Sequence, residues 1–408
     1  MIAVIAALAA GLAAPVAIEG ARVEVGDGTV LEHATVVVDH GRIVSVGTGA
    51  APAGAERVDG RGKVLSPGLV ETLCQIGVSE VFQEEATVDA RLHDGALLPG
   101  FRVADGFNPL SAHIPTARGE GITSVVVSPT GAVVYGTGAW ADLTGTLSSR
   151  PDPATPAAMF GGIGAEAAQA ASGARGGVWL RLRQLVEDAR FYRQNRAAFD
   201  RGDSRQLVVS PLHLAAMQPV LDGRIPLVLD ADRASDILAA IAFGKAEGVR
   251  VVIAGGAEAY VVRRELAAAK VPVILRPADL MPGSFDALRA RDDAPMLLAQ
   301  AGVPLVITSG TFTERRARQE AGIAAANGLP HADAVRAITS RPAEVFGKAG
   351  EVGMVRAGLR ANLVLWSGDP LEVTTAAERV WIDGVPMSLD NRQRRLVERY
   401  LGAARPAH

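Results

Sequence analysis

The stretch IPLVLDADRASDILAAIAFGKAEGVRVVIAGG, residues 225–256, decides the fold. Its two ends, IPLVLDAD and VRVVIAGG, are short and almost continuously apolar, the pattern of strands buried on both faces of a parallel sheet. Between them ASDILAAIAFGKAEG spaces its apolar residues three and four apart, as a helix with one buried face does. A strand, a crossover helix and a second strand lie parallel. The unit recurs downstream: VPVIL (271–275) and VPLVITSG (303–310) are further buried strands, preceded by the helical AEAYVVRRELAAAK and APMLLAQAG. Upstream, GITSVVVSP (121–129) follows the helical HIPTARGE. Such units over roughly 280 residues predict an α/β fold, a (β/α)8 TIM-type barrel spanning 67–349. An open doubly wound sheet is the competing arrangement, and no Gly-rich dinucleotide fingerprint follows a first strand to support it.

Outside this region the rhythm changes. IEGARVEVGDGTVLEHATVVVDHGRIVSVGTG (18–49) alternates β-branched runs with Gly-containing turns, and VGMVRAGLRANLVLWSGDP (352–370) with AERVWIDGVPM (377–387) repeats it at the other end. Residues 18–66 and 350–390 are therefore expected to form one composite β-sandwich. DNRQRRLVERYLGAARPAH reads as an amphipathic helical tail, 391–408, packed on the surface. RQNRAAFDRGDSRQ (193–206) reads as a solvated charged stretch between two helices.

Of 408 residues, 49% are hydrophobic and 21% charged, with a net charge of -3, so no strong field favours nucleic acid. Aromatic residues at 4% are too sparse for a base-stacking platform. The opening MIAVIAALAAGLAAPVA (1–17) has the length of a signal-peptide apolar core, which predicts export to the periplasm; a cytoplasmic location is the alternative. It is short for a stable membrane span. A single cysteine, Cys74, excludes an intrachain disulfide, and its strand phase turns it toward the helices as packing rather than as a nucleophile. Neither His113 nor His213 accompanies a GxSxG elbow. GTGAWADLTGTLSS (136–149) lacks the ending of a phosphate loop and reads as a turn.

The order of β segment, SPGLVET, strand-helix barrel, SRPAEVFGKAGEVGMVRAGLRANLVLWSGDPL (340–371) and ERVWIDG resembles the amidohydrolase superfamily, in particular its imidazolonepropionase-like members. GFNPLSAHIPTARGEGITSVVVSPTGAVVYGTGAWADL (106–143) looks like the segment carrying the second and third barrel strands. The resemblance implies metal-dependent hydrolysis of non-peptide C–N bonds in cyclic amides or imidazolones. It also implies zinc or another divalent cation at the C-terminal mouth of the barrel, held by histidines and carboxylates that lower the pKa of a bound water.

Carried over position by position, those ligands are missing. The paired histidines of the first strand fall on Leu73 and Gln75, which strand alternation places on one face with Glu71. The lysine of the family falls on Asp142; the four lysines, Lys63, Lys245, Lys270 and Lys348, lie elsewhere. The fifth-strand histidine falls on Asp230, with Asp232 two residues on, the sixth-strand histidine on Gly255 and the catalytic aspartate on Gly310. None of the seven histidines, His33, His40, His93, His113, His213, His331 and His408, ends a predicted strand. No catalytic residue is assigned and no cofactor is expected. The reading that follows is a catalytically silent paralogue, or the partner subunit of an active amidohydrolase in a hetero- or homo-oligomer. Two alternatives stand beside it: a hydrolase using a carboxylate metal site built from Glu71, Asp142, Asp230 and Asp232, oxygen donors suited to a hard cation, and an exported protein that binds a small molecule in the barrel mouth. Arg233 and Arg276 are the candidate partners of these carboxylates if no metal binds.

Overall fold

A computed structural model describes residues 14–93, 95–203, 205–310 and 315–403. The chain builds two eight-stranded sheets. The first is assembled from both ends: β1 (Val16–Glu24), β2 (Val30–Asp39), β3 (Arg42–Gly47), β4 (Glu56–Asp59) and β5 (Val64–Pro67) join three late strands, β14 (Leu363–Trp366), β15 (Ala377–Ile382) and β16 (Val385–Pro386). Its order is β16-β15-β14-β5-β1-β2-β3, with β4 on β1, and it folds over a core of its own that includes Ile18, Val36, Leu65, Leu363 and Trp381. The domain starts earlier than the expected residue 18. Val16 and Ala17 already pair with Val38 and Val37, and Ala17 is fully buried, so they belong to β1. The leader expected over 1–17 otherwise lies outside the described residues, up to residue 13.

The second sheet is the barrel: β6 (Leu69–Cys74), β7 (Ile122–Val127), β8 (Val134–Asp142), β9 (Ala158–Gly162), β10 (Leu227–Ala231), β11 (Val251–Gly255), β12 (Val273–Leu275) and β13 (Leu305–Ile307), paired in sequence order. Alternation sorts each strand. Leu227 and Leu229 of β10 pack outward with Val251 and Ile253 of β11, while Val228, Val252, Ile274 and Val306 meet inside. Helices cover the outside: α1 (His113–Gly119), α2 (Ala165–Ala170), α3 (Arg175–Asp200), α4 (Pro211–Ala216), α5 (Gln218–Leu221), α6 (Ala234–Glu247), α7 (Arg263–Ala269), α8 (Ala294–Gln300), α9 (Ala317–Ala326), α10 (His331–Ala337) and α11 (Ser340–Val345). In α6 the buried Ile237, Ala240, Phe243 and Gly244 recur at three- and four-residue spacing, and Gly248 at φ +60° ends it in the left-handed conformation that glycine adopts freely.

Two features depart from a uniform strand-helix barrel. β8 follows β7 through a six-residue hairpin connection, 128–133, and runs antiparallel to both β7 and β9, so no helix separates β7 from β8. β6 and β13, the ends of the strand order, share no backbone ladder among the described residues. Side chains close that seam instead. Ser309 donates its amide to Glu71 Oε1 at 3.0 Å and its hydroxyl to Oε2 at 2.6 Å; Thr72 donates its amide to Oε1 at 3.1 Å, and Thr308 Oγ1 contacts both Oε1 and the Thr72 carbonyl.

The polar stretch 193–206 is helical through Asp200, because α3 continues past a single non-helical residue, Asn195. The tail forms α12 (Arg392–Ala403), but Leu396, Val397, Tyr400 and Leu401 are exposed, so the helix is less packed than its amphipathic pattern predicts. The two sheets are joined at Trp366, which is fully buried. Its indole N–H donates to Ser66 Oγ at 2.8 Å, and Arg318 sits over its ring at 5.7 Å.

Candidate functional site

The C-terminal ends of the parallel strands open into a cavity of about 530 Å³. Six of the positions singled out in the sequence meet there: Leu73 after the bend of β6, Asp230 and Asp232 at the end of β10, Gly255 ending β11, Arg276 after β12 and Gly310 following β13. The others do not. Glu71 lies fully buried, with its carboxylate turned into the β6–β13 seam. Gln75 is buried beyond the end of β6 and does not line the cavity.

The expected common face of Glu71, Leu73 and Gln75 is interrupted by an irregularity between Glu71 and Cys74, where Leu73 takes φ +51°. Period-two alternation does not survive a break of that kind. Leu73 packs against the inner cluster with Phe160 and Val228, and Cys74 packs outward among the helices.

Asp142 is at the opposite end of the barrel. Because β8 is antiparallel, its last residue pairs with Ser124 at the start of β7 and faces the β domain. There Asp142 Oδ2 receives Arg360 Nη2 at 2.6 Å, and Asp142 Oδ1 accepts the Ser124 hydroxyl at 2.7 Å; Arg360 is shared with Asp383. The carboxylate metal site imagined from Glu71, Asp142, Asp230 and Asp232 is therefore not assembled: one member is in the seam, one at the floor and two at the mouth.

The hairpin supplies mouth residues that the sequence reading missed. Ser128, Pro129 and Thr130 of the turn and Tyr135 at the start of β8 line the cavity. The Pro129-Thr130-Gly131 turn between two apolar runs is itself a hairpin signal.

The electrostatics of the mouth follow from these placements. Asp230 presents its carboxylate to the cavity, so part of its surface meets solvent, yet protein surrounds it closely on all other sides. Burial chiefly, then the charges of Asp232 and Glu166, push it up to about 7, with Arg276 opposing. Asp232 is raised by burial too, partly offset by the Ala257 amide that donates to its Oδ1 at 3.1 Å. The Tyr135 phenol is held well above its ordinary range by burial and by Asp230 and Glu166. Arg276 is ion-paired with Asp279 and Arg233 with Asp236, so neither neutralises the mouth carboxylates through a direct bridge.

Glycine at two strand ends is required by space as well as by conformation. At Gly255, φ +84°, a Cβ would stand 2.7 Å from Asp232 Oδ1; at Gly310, φ +70°, it would stand 2.6 Å from both Cδ and Nη1 of Arg276. The three histidines left as loop or helix residues are held elsewhere: His93 against Glu85 at 2.7 Å, His113 on the Glu80 carbonyl at 2.9 Å, and His213 Nδ1 accepting the Gly100 amide at 2.9 Å. Among the described residues no three of His, Cys, Asp and Glu are grouped to hold a metal ion. A tetrahedral zinc centre needs three or four nitrogen, sulfur or carboxylate ligands. Two aspartates, one already accepting an amide, facing a leucine, two glycines and a guanidinium do not fit it.

Known proteins resemble this chain in two ways. Residues 303–387 match the amidohydrolase family. A segment of 57 residues, 14% of the chain, is 42% identical to amidohydrolase tasK of Hapsidospora irregularis; it spans 6% of that protein's length. The fold of an amidohydrolase from Thermotoga maritima superposes with a TM-score of 0.83 at 26% identity, covering 91% of this chain and 99% of that one. An adenosine deaminase from Xanthomonas campestris with bound zinc shares the fold at a TM-score of 0.55 and 18% identity, over 95% and 97% of the two chains. The C-terminal signature, the barrel and the β domain shared with the Thermotoga protein over nearly its whole length place this chain in the amidohydrolase superfamily.

Proposed function

We propose that this protein is a catalytically silent amidohydrolase, descended from imidazolonepropionase-like hydrolases, that binds a small cationic molecule in its barrel mouth. One observation carries the reading: the strand ends at the mouth present Asp230 and Asp232 beside Leu73, Gly255 and Gly310, with no imidazole or thiol lining the cavity among the described residues. The remaining wall mixes apolar Phe160, Val228 and Ile274 with polar Ser128, Thr130 and Ser284, and the cavity is of small-molecule size. A ligand ammonium gives Asp230 and Asp232 the direct counter-charge that Arg276, ion-paired with Asp279, does not. It lowers their pKa values on binding, so uptake of the ligand releases protons near neutral pH. Export, supported by the apolar run that opens the sequence, and service as the partner of an active amidohydrolase belong to the same proposal.

The test combines metal analysis of the purified chain with calorimetric titration of short-chain amines in two buffers of different ionisation enthalpy. Background metal content, amine binding with proton release, and loss of that binding in Asp230→Asn support the reading. Metal-dependent turnover of cyclic amides or N-acyl dipeptides by the isolated chain would refute silence; amine affinity unchanged in Asp230→Asn would refute the ligand class.

A further inference from the structure

We propose that a second cavity, on the flank of the barrel beside α12, binds a small amphipathic anion: a carboxylate or phosphate monoester carried on a short apolar body. This cavity, about 470 Å³, lies between the loop after β6, α1, residues 315–316 and the first turn of α12. It shares no lining residue with the barrel mouth. Its wall divides by chemistry. Ile76, Phe82 and Ala117 form an apolar side, with the Phe82 ring tilted against His113 at 6.0 Å between centroids. Arg315, Arg316 and Arg392 form the other, brought together from two segments far apart in sequence.

Arg316 acts on the charge of Glu320 without bridging to it. Among the described residues no carboxylate lies within ion-pair distance of any of the three. Other exposed arginines are paired, as Arg91 is with Glu85 at 2.9 Å and Arg193 with Asp222 at 2.8 Å. The one acid lining the cavity, Glu80, already accepts the Asn108 side-chain amide at 3.3 Å and the Ala112 backbone amide at 3.2 Å. In a chain of net charge -3, three arginines that line one cavity, none of them ion-paired among the described residues, are a local excess of positive charge. The planar fork of arginine matches carboxylate and phosphate oxygens two at a time. The apolar wall adds the burial of a hydrocarbon segment, at about 25 cal/mol per Å² removed from water. The two halves together select an anion with a tail over a bare ion.

Isothermal titration of the full chain with hexyl phosphate, hexanoate and inorganic phosphate tests this. Binding of at least one tailed anion, tighter than inorganic phosphate and weakened by added salt, is expected, and the tighter of the two identifies the headgroup. An Arg316→Gln/Arg392→Gln double variant should lose at least about tenfold in affinity with an unchanged melting temperature, while Asp230→Asn in the barrel mouth should leave this binding as it was. No binding of either tailed anion at about 10 mM, or affinity unchanged in the double variant, would overturn the proposal.

Discussion

Replacing Glu71 by glutamine reads out directly how the barrel seam is held. Glu71 has no exposed surface, and burial lifts its carboxyl from an ordinary 4.5 to about 7, against the opposing hydrogen bonds from Ser309, Thr308 and Thr72. In the unfolded chain the same group ionises near 4.5. Between the two values the native state keeps a proton that the unfolded chain has released. The associated stability is therefore fully present below about pH 4.5 and is lost as the pH rises towards 7. That gap corresponds to about 3 kcal/mol.

A glutamine reproduces the neutral form: its carbonyl oxygen accepts what Oε1 accepts now, and its amide donates to Ser309 Oγ. It does not titrate. Urea unfolding of the wild type and Glu71→Gln at pH 5 and pH 8 gives a difference in stability at each pH. That difference should move by about 3 kcal/mol in favour of the variant as the pH is raised. Ser309→Ala, which removes a donor that favours the ionised form, should carry the wild-type loss to higher pH. A difference that stays constant from pH 5 to pH 8 would refute the assignment of a neutral carboxyl to the seam.

Rebuilding the family aspartate with Gly310→Asp should lower stability by about 1–3 kcal/mol, since it puts a side chain at positive φ and against Arg276, and should bring no metal; thermal melting and elemental analysis check both. Arg360→Ala should cost about 3 kcal/mol in chemical denaturation, because it leaves Asp142 at the floor of the barrel without its counter-charge; Asp142→Asn, which removes the charge itself, should cost less.

The sequence carried the strands whose pattern depends on burial alone. The runs read at 225–232, 249–256, 271–275 and 303–310 contain β10, β11, β12 and β13, because a strand packed on both faces is written as a continuous apolar word. Direction is not written that way. The residues of β8 do not state its direction, and only the Pro-Thr-Gly stretch before it shows that it returns, so alignment carried Asp142 to the wrong end. Local breaks are equally silent: nothing in GLVETLCQ marks Leu73 as the residue that leaves the extended region. The candidate site was legible where a strand stays regular to its end, at Asp230 and Asp232 and at Gly255. It was lost where a bend or a hairpin re-aims the chain, at Gln75, Asp142 and Tyr135.

The reversed direction of β8 also limits what substitution can restore. Seven of the eight barrel strands run toward the rim and end there. At the eighth the rim is a turn, Ser128 to Thr130, whose backbone and short hydroxyls occupy the place where an outgoing strand would set a long ligand. Redesign toward hydrolysis therefore has to re-route the backbone at that sector before any choice of amino acid there matters.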